Sequence, residues 1–154
     1  MKVILPGSYD PVTLGHLDVI RRASESYEEV YAVVFINPNK TYTFSLEERV
    51  SMLMLATEEL PNVLVSYSVG RVVDYMRDHG IKKIIKGIRN DGDLAYERVQ
   101  EEYNLKHGGY ETEYLYAPPS LSHISSTLAR EKLARGEELD GILPKNVIDF
   151  IKRN

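Results

Sequence analysis

Residues 2–16 read KVILPGSYDPVTLGH, and this stretch decides the fold. Lys2–Leu5 has the apolar character of a strand, residues 6–11 are dense in turn formers, and residues 13–16 open a helical pattern. A tight turn between a strand and a helix directs backbone N–H groups and the positive end of the helix dipole to one point. The glycines of the stretch let an anion approach the backbone, and His16 adds an imidazole donor. The stretch therefore predicts an anion site, with an ordinary strand-to-helix loop carrying a surface histidine as the alternative.

The composition of the 154-residue chain is typical of one domain, residues 1–154, with 43% hydrophobic residues for its core. The chain has no cysteine, and its four histidines lack zinc-ligand spacing, so no metal-binding residues are predicted. A formal net charge of −4 argues against a broad nucleic-acid surface. With no signal-peptide pattern and no apolar stretch of membrane-spanning length, we expect a cytoplasmic protein without a membrane partner.

Strand-like and helix-like segments alternate along the whole chain. After the first strand, further strands are predicted at Val30–Ile36, Val63–Tyr67, Ile81–Lys86 and Glu113–Ala117. Helices are predicted at about 16–27, 46–60 after a Ser45 cap, 72–79, 93–105, 126–135 after a Ser125 cap, and 144–152 with Pro144 as first residue. This alternation predicts an α/β fold with a five-stranded parallel sheet, helices on both faces and right-handed crossovers.

Polar residues cluster where the predicted strands end. They lie after strand one, at Lys40 after strand two, at Lys86 and Arg89 near the end of strand four, and at residues 122–127 after strand five. Open parallel sheets bind ligands at this edge, and cations, hydroxyls and a helix N-terminus suit several phosphates. Each residue alone has a plainer explanation as a solvated charge or a helix cap, so the joint placement carries the prediction. The P-loop and dinucleotide motifs are absent.

The same residues carry a family resemblance. Residues 13–16, TLGH, resemble the T-x-G-H form of the nucleotidyltransferase H-x-G-H signature, and residues 124–127, ISST, resemble the second signature. With Asn39-Lys40, KGIR at 86–89 and Tyr96-Glu97, the chain resembles the bacterial phosphopantetheine adenylyltransferases. The resemblance implies a Rossmann-like, doubly wound sheet and transfer of the adenylyl group of ATP to 4′-phosphopantetheine, giving dephospho-coenzyme A and pyrophosphate. It further implies Mg²⁺ as cofactor, a role in coenzyme A biosynthesis and a homohexamer.

The resemblance also implies roles for individual residues. Expected as catalytic are His16, Lys40 and Arg89. ATP-binding positions are Ser8, Tyr9, His16, Gly87, Ile88, Arg89, Glu97, Leu121, Ser122, His123, Ile124, Ser125, Ser126 and Thr127, and acceptor-binding positions are Ser8, Lys40, Val72, Lys86 and Asn104. The chain departs from the family pattern at Lys86, where arginine is usual, at Tyr9, where phenylalanine is commoner, and at Leu121 and His123, where aromatic residues are common.

Several other functions remain open at the level of the sequence. Within the same superfamily, one alternative is transfer of an adenylyl group to nicotinamide mononucleotide. Another is transfer of a cytidylyl group to a small alcohol phosphate. Families with those activities usually carry a histidine where Thr13 stands. A non-catalytic module that binds nucleotide or coenzyme A belongs to a different class, and a turnover assay separates it from an enzyme.

Overall fold

The computed structural model describes all residues, Met1–Asn154, and contains one five-stranded sheet. The strands are β1 (Lys2–Gly7), β2 (Glu29–Ile36), β3 (Val63–Val69), β4 (Lys83–Ile88) and β5 (Glu111–Tyr116). Every neighbouring pair is parallel, and the strand order is β3-β2-β1-β4-β5. The predicted Rossmann-like α/β fold is confirmed. That residues 1–154 form a single domain stays a prediction.

Six helices complete the chain. They are α1 (Leu14–Ser26), α2 (Leu46–Ala56), α3 (Val72–His79), α4 (Asp91–Gly108), α5 (Ser126–Ala134) and α6 (Lys145–Arg153). Local signals explain their ends: Ser45 and Glu48 form the expected capping box of α2, and Gly80 ends α3 in the left-handed conformation at φ 67°. None of the helices combines the length and the apolar composition that a membrane-spanning segment requires.

Helices cover both faces of the sheet because successive side chains of a strand point to opposite sides. Val3 and Leu5 of β1 belong to the larger core cluster, which includes residues of α1, α2, α5 and α6. Ile4, between them, belongs to a smaller cluster that includes Tyr75 and Met76 of α3. The central strands are therefore buried on both faces, as their near-continuous apolar sequences require.

The strand order brings the important residues together. The chain leaves β1 for β2 on one side and later crosses over to β4 on the other, so the order reverses at β1. Crossover connections leave the carboxyl ends of β1 and β4 in opposite directions, which opens a crevice there. Gly7 ends β1 at this crevice, and Lys86 to Ile88 lie at the end of β4.

Several predicted boundaries are wrong, and hydrogen bonds explain why. β4 begins two residues late because the Ile81 N–H donates to Met76 O at the end of α3, at 2.9 Å. Gly87 and Ile88, expected in a turn, instead pair with Leu115 and Tyr116 of β5.

Two helices were also misplaced at one end. α2 ends at Ala56 rather than near Leu60, because the Thr57 hydroxyl donates to Leu53 O at 2.9 Å and the chain turns there. Pro144, expected as the first residue of α6, is its N-cap, with an extended ψ of 146°. β1 is longer than predicted and continues through Pro6 and Gly7, which lie opposite Val33 and Val34 of β2.

Candidate active site

Two cavities open at the crevice between β1 and β4. The first, here called the β5-side cavity, has a volume of about 340 Å³ and reaches residues that follow β5. The second, the β2-side cavity, has a volume of about 590 Å³ and reaches residues that follow β2. The residues that line both are Pro6, Gly7, Lys86 and Glu97. The two cavities therefore meet over the ends of the central strands.

Tyr9 shapes the floor of the β5-side cavity from within the turn after β1. Its backbone is left-handed, at φ 49°, and its side chain is only 4% exposed. The phenol donates to Leu5 O at 2.7 Å, and burial raises the pKa of Tyr9 well above its usual range. A Cβ at Gly7 would lie 3.3 Å from the Tyr9 ring, so glycine fits this close approach. Since its hydroxyl is engaged internally, Tyr9 offers the cavity only its ring.

His16 lies in the first turn of α1 and lines the β5-side cavity. Its ring is held by a capping box: Nδ1 accepts the Thr13 backbone N–H at 3.0 Å, and the Thr13 hydroxyl accepts the His16 N–H at 3.3 Å. A backbone N–H can only donate, so Nδ1 is the unprotonated nitrogen. The ring proton of the neutral imidazole therefore sits on Nε2, which remains available as a donor.

The charge state of His16 follows from its surroundings. Burial, and secondarily the positive charge of Lys86, lower the pKa of His16 from 6.5 to about 4. The side chain is therefore neutral at physiological pH. The Tyr9 ring, with its centroid 4.9 Å from that of His16, supports the imidazole from a second side.

Lys86 and Glu97 face each other where the cavities meet. Lys86 Nζ lies 3.3 Å from Glu97 Oε2, and both side chains are about one-fifth exposed, at 21% and 19%. The contact is an ion pair but lacks hydrogen-bond geometry, so buried Oε2 has no hydrogen-bond donor. Glu97 is also the only carboxylate lining either cavity. A cation with an incompletely satisfied partner is well placed to exchange that partner for a ligand phosphate.

Arg89 follows β4 and is held by the start of α4. Its Nε donates to Asp93 Oδ2 at 3.1 Å, and its backbone N–H donates to the same oxygen at 3.0 Å. The Asn90 side chain in turn caps α4 by accepting the Asp93 N–H at 2.9 Å. The Arg89 side chain is about one-third exposed, at 37%, and lines the β5-side cavity. This arrangement fixes a cation at the cavity rim.

The N-terminus of α5 forms the opposite wall of the β5-side cavity. Ser125 caps it by accepting the Leu128 N–H at 3.0 Å, and the Ser126 hydroxyl donates to Pro11 O at 2.8 Å. The Thr127 hydroxyl accepts from Arg130 at 3.2 Å. The Ser126 hydroxyl thus attaches α5 to the turn that follows β1, while the backbone N–H groups of Ser126 and Thr127, in the first turn of α5, have no helical acceptor. These N–H groups and the helix dipole favour an anion.

Asp10 joins the loop after β1 to the loop after β2. Its side chain, in a residue only 4% exposed, accepts the Thr43 N–H and the Phe44 N–H, each at 2.9 Å. The exposed Lys40 lies in the loop that this carboxylate anchors and lines the β2-side cavity. Asp10 therefore keeps the cation-bearing loop beside the end of β1.

A family model described as cytidylyltransferase-like matches residues 4–132. The chain belongs to the cytidylyltransferase-like family. It is also 40% identical, over 99% of its length, to a protein named phosphopantetheine adenylyltransferase from Corynebacterium efficiens, of which it covers 97%. The region matched by the family model includes every residue that lines the two cavities, since these residues all lie between Leu5 and Thr127.

The structure brings most of the expected site residues of this cytidylyltransferase-like chain to the two cavities. Those at the β5-side cavity are Tyr9, His16, Lys86, Gly87, Ile88, Arg89, Glu97, Leu121, Ile124, Ser125, Ser126 and Thr127. Those at the β2-side cavity are Ser8, Lys40, Val72, Lys86, Glu97 and Asn104. Their roles in binding and catalysis stay predictions.

Three expected residues are placed differently. Ser122 and His123 line neither cavity: the Ser122 hydroxyl donates to Pro119 O at 3.1 Å, and His123 is exposed. Ser8, expected to contact both substrates, lines only the β2-side cavity. Gly87 does line the β5-side cavity, but its lack of a side chain also has a packing reason, because a Cβ there would lie 2.6 Å from Val19 Cγ2.

Other residues of this cytidylyltransferase-like site were missed by sequence reasoning. Thr13 was read as part of a motif, but its role as partner of the His16 ring depends on cap geometry. Asp10 makes contacts 33 and 34 residues away, which no local pattern reveals. Tyr42 and Gln100 line the β2-side cavity, and only the proximity of Tyr42 to Lys40 could have drawn attention to it.

Proposed function

We propose that the protein transfers the adenylyl group of ATP to 4′-phosphopantetheine, giving dephospho-coenzyme A and pyrophosphate. The observation that carries the proposal is the meeting of two cavities at Lys86 and Glu97, beside His16. A transfer between two bound molecules needs two adjoining sites, and a simple binding module needs one. The 40% identical relative, over nearly the whole chain, bears the name of this activity.

In this proposal ATP occupies the β5-side cavity. The N-terminus of α5 and Arg89 face its phosphates, and Leu121 and Ile124 supply apolar lining. The acceptor occupies the β2-side cavity, with its phosphate toward Lys40 and Lys86 and its pantetheine arm along Val72 and Asn104. The acceptor phosphate and the α-phosphate of ATP then approach each other where the cavities meet.

The reaction needs no nucleophile from the protein, because the acceptor phosphate is one already. An acceptor phosphate oxygen forms a bond to the α-phosphorus of ATP as the bond from that phosphorus to the bridging oxygen breaks, and pyrophosphate leaves. The protein aligns the two reactants, which contributes roughly 7 to 11 kcal/mol of barrier lowering in well-oriented reactions. Neutral His16 donates its Nε2 proton in a hydrogen bond to an α-phosphate oxygen, and stays neutral throughout.

Lys40, Lys86 and Arg89 offset the charge of two polyanions brought into contact. Lys86 is the cation common to both cavities, so it is positioned to contact the acceptor phosphate and the developing charge at once. As an ammonium group it acts as a point charge without the paired donors of a guanidinium. We expect it to leave Glu97 for phosphate when the substrates bind.

We propose Mg²⁺ as the cofactor, carried in with ATP. No group of three or more His, Asp or Glu side chains could hold a metal ion by itself. Mg²⁺ often binds through one or two carboxylates together with water and substrate phosphates, and Glu97, whose Oε2 accepts no hydrogen bond, fits such a role. When bound, the ion would neutralise phosphate charge on the leaving group.

We also propose a cytoplasmic homohexamer. The support for assembly is the set of large apolar side chains that stay exposed on α4 and on the edge strand β3: Tyr96, Val99, Tyr103, Leu64, Tyr67 and Val69. Large apolar side chains that stay exposed are typical of interfaces where they group on one face. Cytoplasmic location is supported by the proposed use of ATP as donor.

A coupled assay of pyrophosphate release tests the proposed function. Purified protein is supplied with ATP and Mg²⁺, and with either 4′-phosphopantetheine or nicotinamide mononucleotide. We expect release only with 4′-phosphopantetheine, and its near loss in His16→Ala. Pyrophosphate release with nicotinamide mononucleotide but not with 4′-phosphopantetheine would show that the proposed acceptor is wrong. ATP binding without pyrophosphate release would indicate a nucleotide-binding module in place of an enzyme.

A further inference from the structure

Arg49 is a buried cation without a charged partner. It lies in the first turns of α2, it is only 2% exposed, and no salt bridge of the chain includes it. Its Nε is also buried without an acceptor. Buried arginines are rare unless they are paired, because removing the charge from water is costly. The position of Arg49 therefore requires an explanation in the contacts that it does make.

Two contacts hold the guanidinium. One terminal nitrogen donates to Ser8 O at 3.1 Å, in the turn that follows β1. Its central carbon lies 3.9 Å from the centroid of the Tyr42 ring, which is cation–π geometry. Arg49 does not line either cavity, whereas Ser8 and Tyr42 both line the β2-side cavity. Arg49 thus lies behind the wall that these two residues form.

Tyr42 extends this connection to the loop that follows β2. Its hydroxyl accepts the Asn37 N–H at 2.9 Å, at the first residue after β2. Lys40 Nζ lies 5.4 Å from the centroid of the same ring. The Tyr42 ring therefore contacts Arg49 and also lies near Lys40, so it connects Arg49 to the side of the cavity where Lys40 lies.

We propose that Arg49 and Tyr42 are a positioning pair that sets the distance between Ser8 and Lys40 at the phosphate end of the β2-side cavity. This inference rests on the proposed function, in which that cavity binds the acceptor. Neither residue supplies a reacting group. Their stacked contact holds the turn after β1 and the loop after β2 at the separation that binding of the acceptor phosphate requires.

The loop has a second attachment, so loss of the pair has a local effect. Asp10 holds Thr43 and Phe44 independently of Arg49. The loop therefore stays beside β1 when the stack is removed, but the segment that carries Lys40 loses its lateral support. The expected consequence is weaker acceptor binding with unchanged ATP binding.

The experiment compares steady-state kinetics of five variants, with both substrates varied. Tyr42→Leu removes the ring, Tyr42→Phe keeps it, Arg49→Met removes the guanidinium, and the double variant removes both. Arg21→Met, at an exposed position of α1, is the matched control for loss of an arginine charge. Thermal denaturation of each variant establishes that it is folded, and the Tyr42 variants decide the question if Arg49→Met does not fold.

We expect Tyr42→Leu and Arg49→Met each to raise the acceptor KM about tenfold, which a desolvated cation–π contact can account for. The ATP KM of these variants should stay within about twofold of the value for the unsubstituted protein, and Tyr42→Phe should retain most of the acceptor affinity. The double variant should have an acceptor KM similar to those of the single variants, since two members of one contact are not independent. Equal changes in both KM values, multiplication of the two single effects, or no effect of Tyr42→Leu would each overturn the proposal. Failure of the proposed function would appear differently, as absence of turnover in the unsubstituted protein.

Discussion

The His16 imidazole owes its tautomer to the backbone of its own helix. The Thr13 N–H occupies Nδ1, and burial with the Lys86 charge keeps the ring neutral, with a pKa of about 4. The residue type in the motif predicts a donor, but the tautomer follows only from the three-dimensional cap. A fixed neutral donor directed at an anion needs little reorganisation during the reaction.

Replacement of His16 by alanine should therefore lower turnover much more than ATP affinity. We expect kcat to fall by about 10²–10³-fold, the usual effect of removing one donor to a transition-state oxyanion. Steady-state kinetics together with calorimetric ATP binding measure the two effects separately. A tenfold loss of ATP binding with little change in kcat would contradict the assigned role.

The pH dependence of stability gives a second test of His16. Its folded-state pKa of about 4 lies below the ordinary value of 6.5, so between these values the unfolded chain binds the additional proton. Stability should fall as pH decreases through this window, by at most about 1.4 kcal/mol per pH unit from this group. Urea denaturation at several pH values should show a smaller fall in His16→Gln, and identical slopes would indicate an unperturbed histidine.

Lys86 stands at the point shared by the two cavities, and its replacement should affect the acceptor. Lys86→Ala should raise the acceptor KM because the phosphate loses a partly buried cation, while Lys86→Arg should be tolerated. Initial rates at saturating ATP provide the measurement. An unchanged acceptor KM in the alanine variant would remove Lys86 from the acceptor site.

At the scale of elements, α1 packs against β4 at a position that allows no side chain. A Cβ at Gly87 would meet Val19 Cγ2 at 2.6 Å, so the Val19 side chain or the helix itself would have to shift. Gly87→Ala should lower the free energy of unfolding by about 1–3 kcal/mol, the usual cost of overpacking. Chemical denaturation measures it, and Val19→Ala in the same chain should recover part of the loss. Full additivity of the two substitutions would show that this contact is not the cause.

Element type was predictable from the sequence, and element boundaries were less so. The alternation of apolar strands with capped helices predicted five strands and six helices, because the period of side-chain burial is local information. The start of β4 and the end of α2 were wrong because single hydrogen bonds, from Ile81 to Met76 and from Thr57 to Leu53, decide them. Such bonds compete with the pattern and leave no periodic signal.

At the scale of the whole molecule, the apolar side chains left exposed on α4 and β3 support assembly. Tyr96 and Val99 are each 70% exposed, and burying such residues between subunits is favourable. Light scattering coupled to size-exclusion chromatography should give six times the mass of one chain. The mass of a single chain across the micromolar range would contradict the proposed hexamer.

Prediction of the complete site, with both cavities, would have required the strand order, which the sequence pattern does not specify. The sequence predicted that polar residues gather at the carboxyl edge, and the reversal of order at β1 then brings residues 7–16 beside Lys86. The separation into two cavities that share Lys86 and Glu97 depends on side-chain packing across α4 and β4. Ser122 and His123, adjacent in sequence to lining residues, lie outside both cavities, because proximity along the chain does not fix which way a loop residue faces.

Identification of the products by ³¹P NMR tests the central claim most directly. Protein is mixed with ATP, Mg²⁺ and 4′-phosphopantetheine, and the phosphorus signals are followed over time. The account predicts a new diphosphate diester, dephospho-coenzyme A, that grows in equal amount with pyrophosphate as ATP disappears. Formation of ADP or inorganic phosphate in place of pyrophosphate, or pyrophosphate without the diester, would contradict adenylyl transfer between the two cavities.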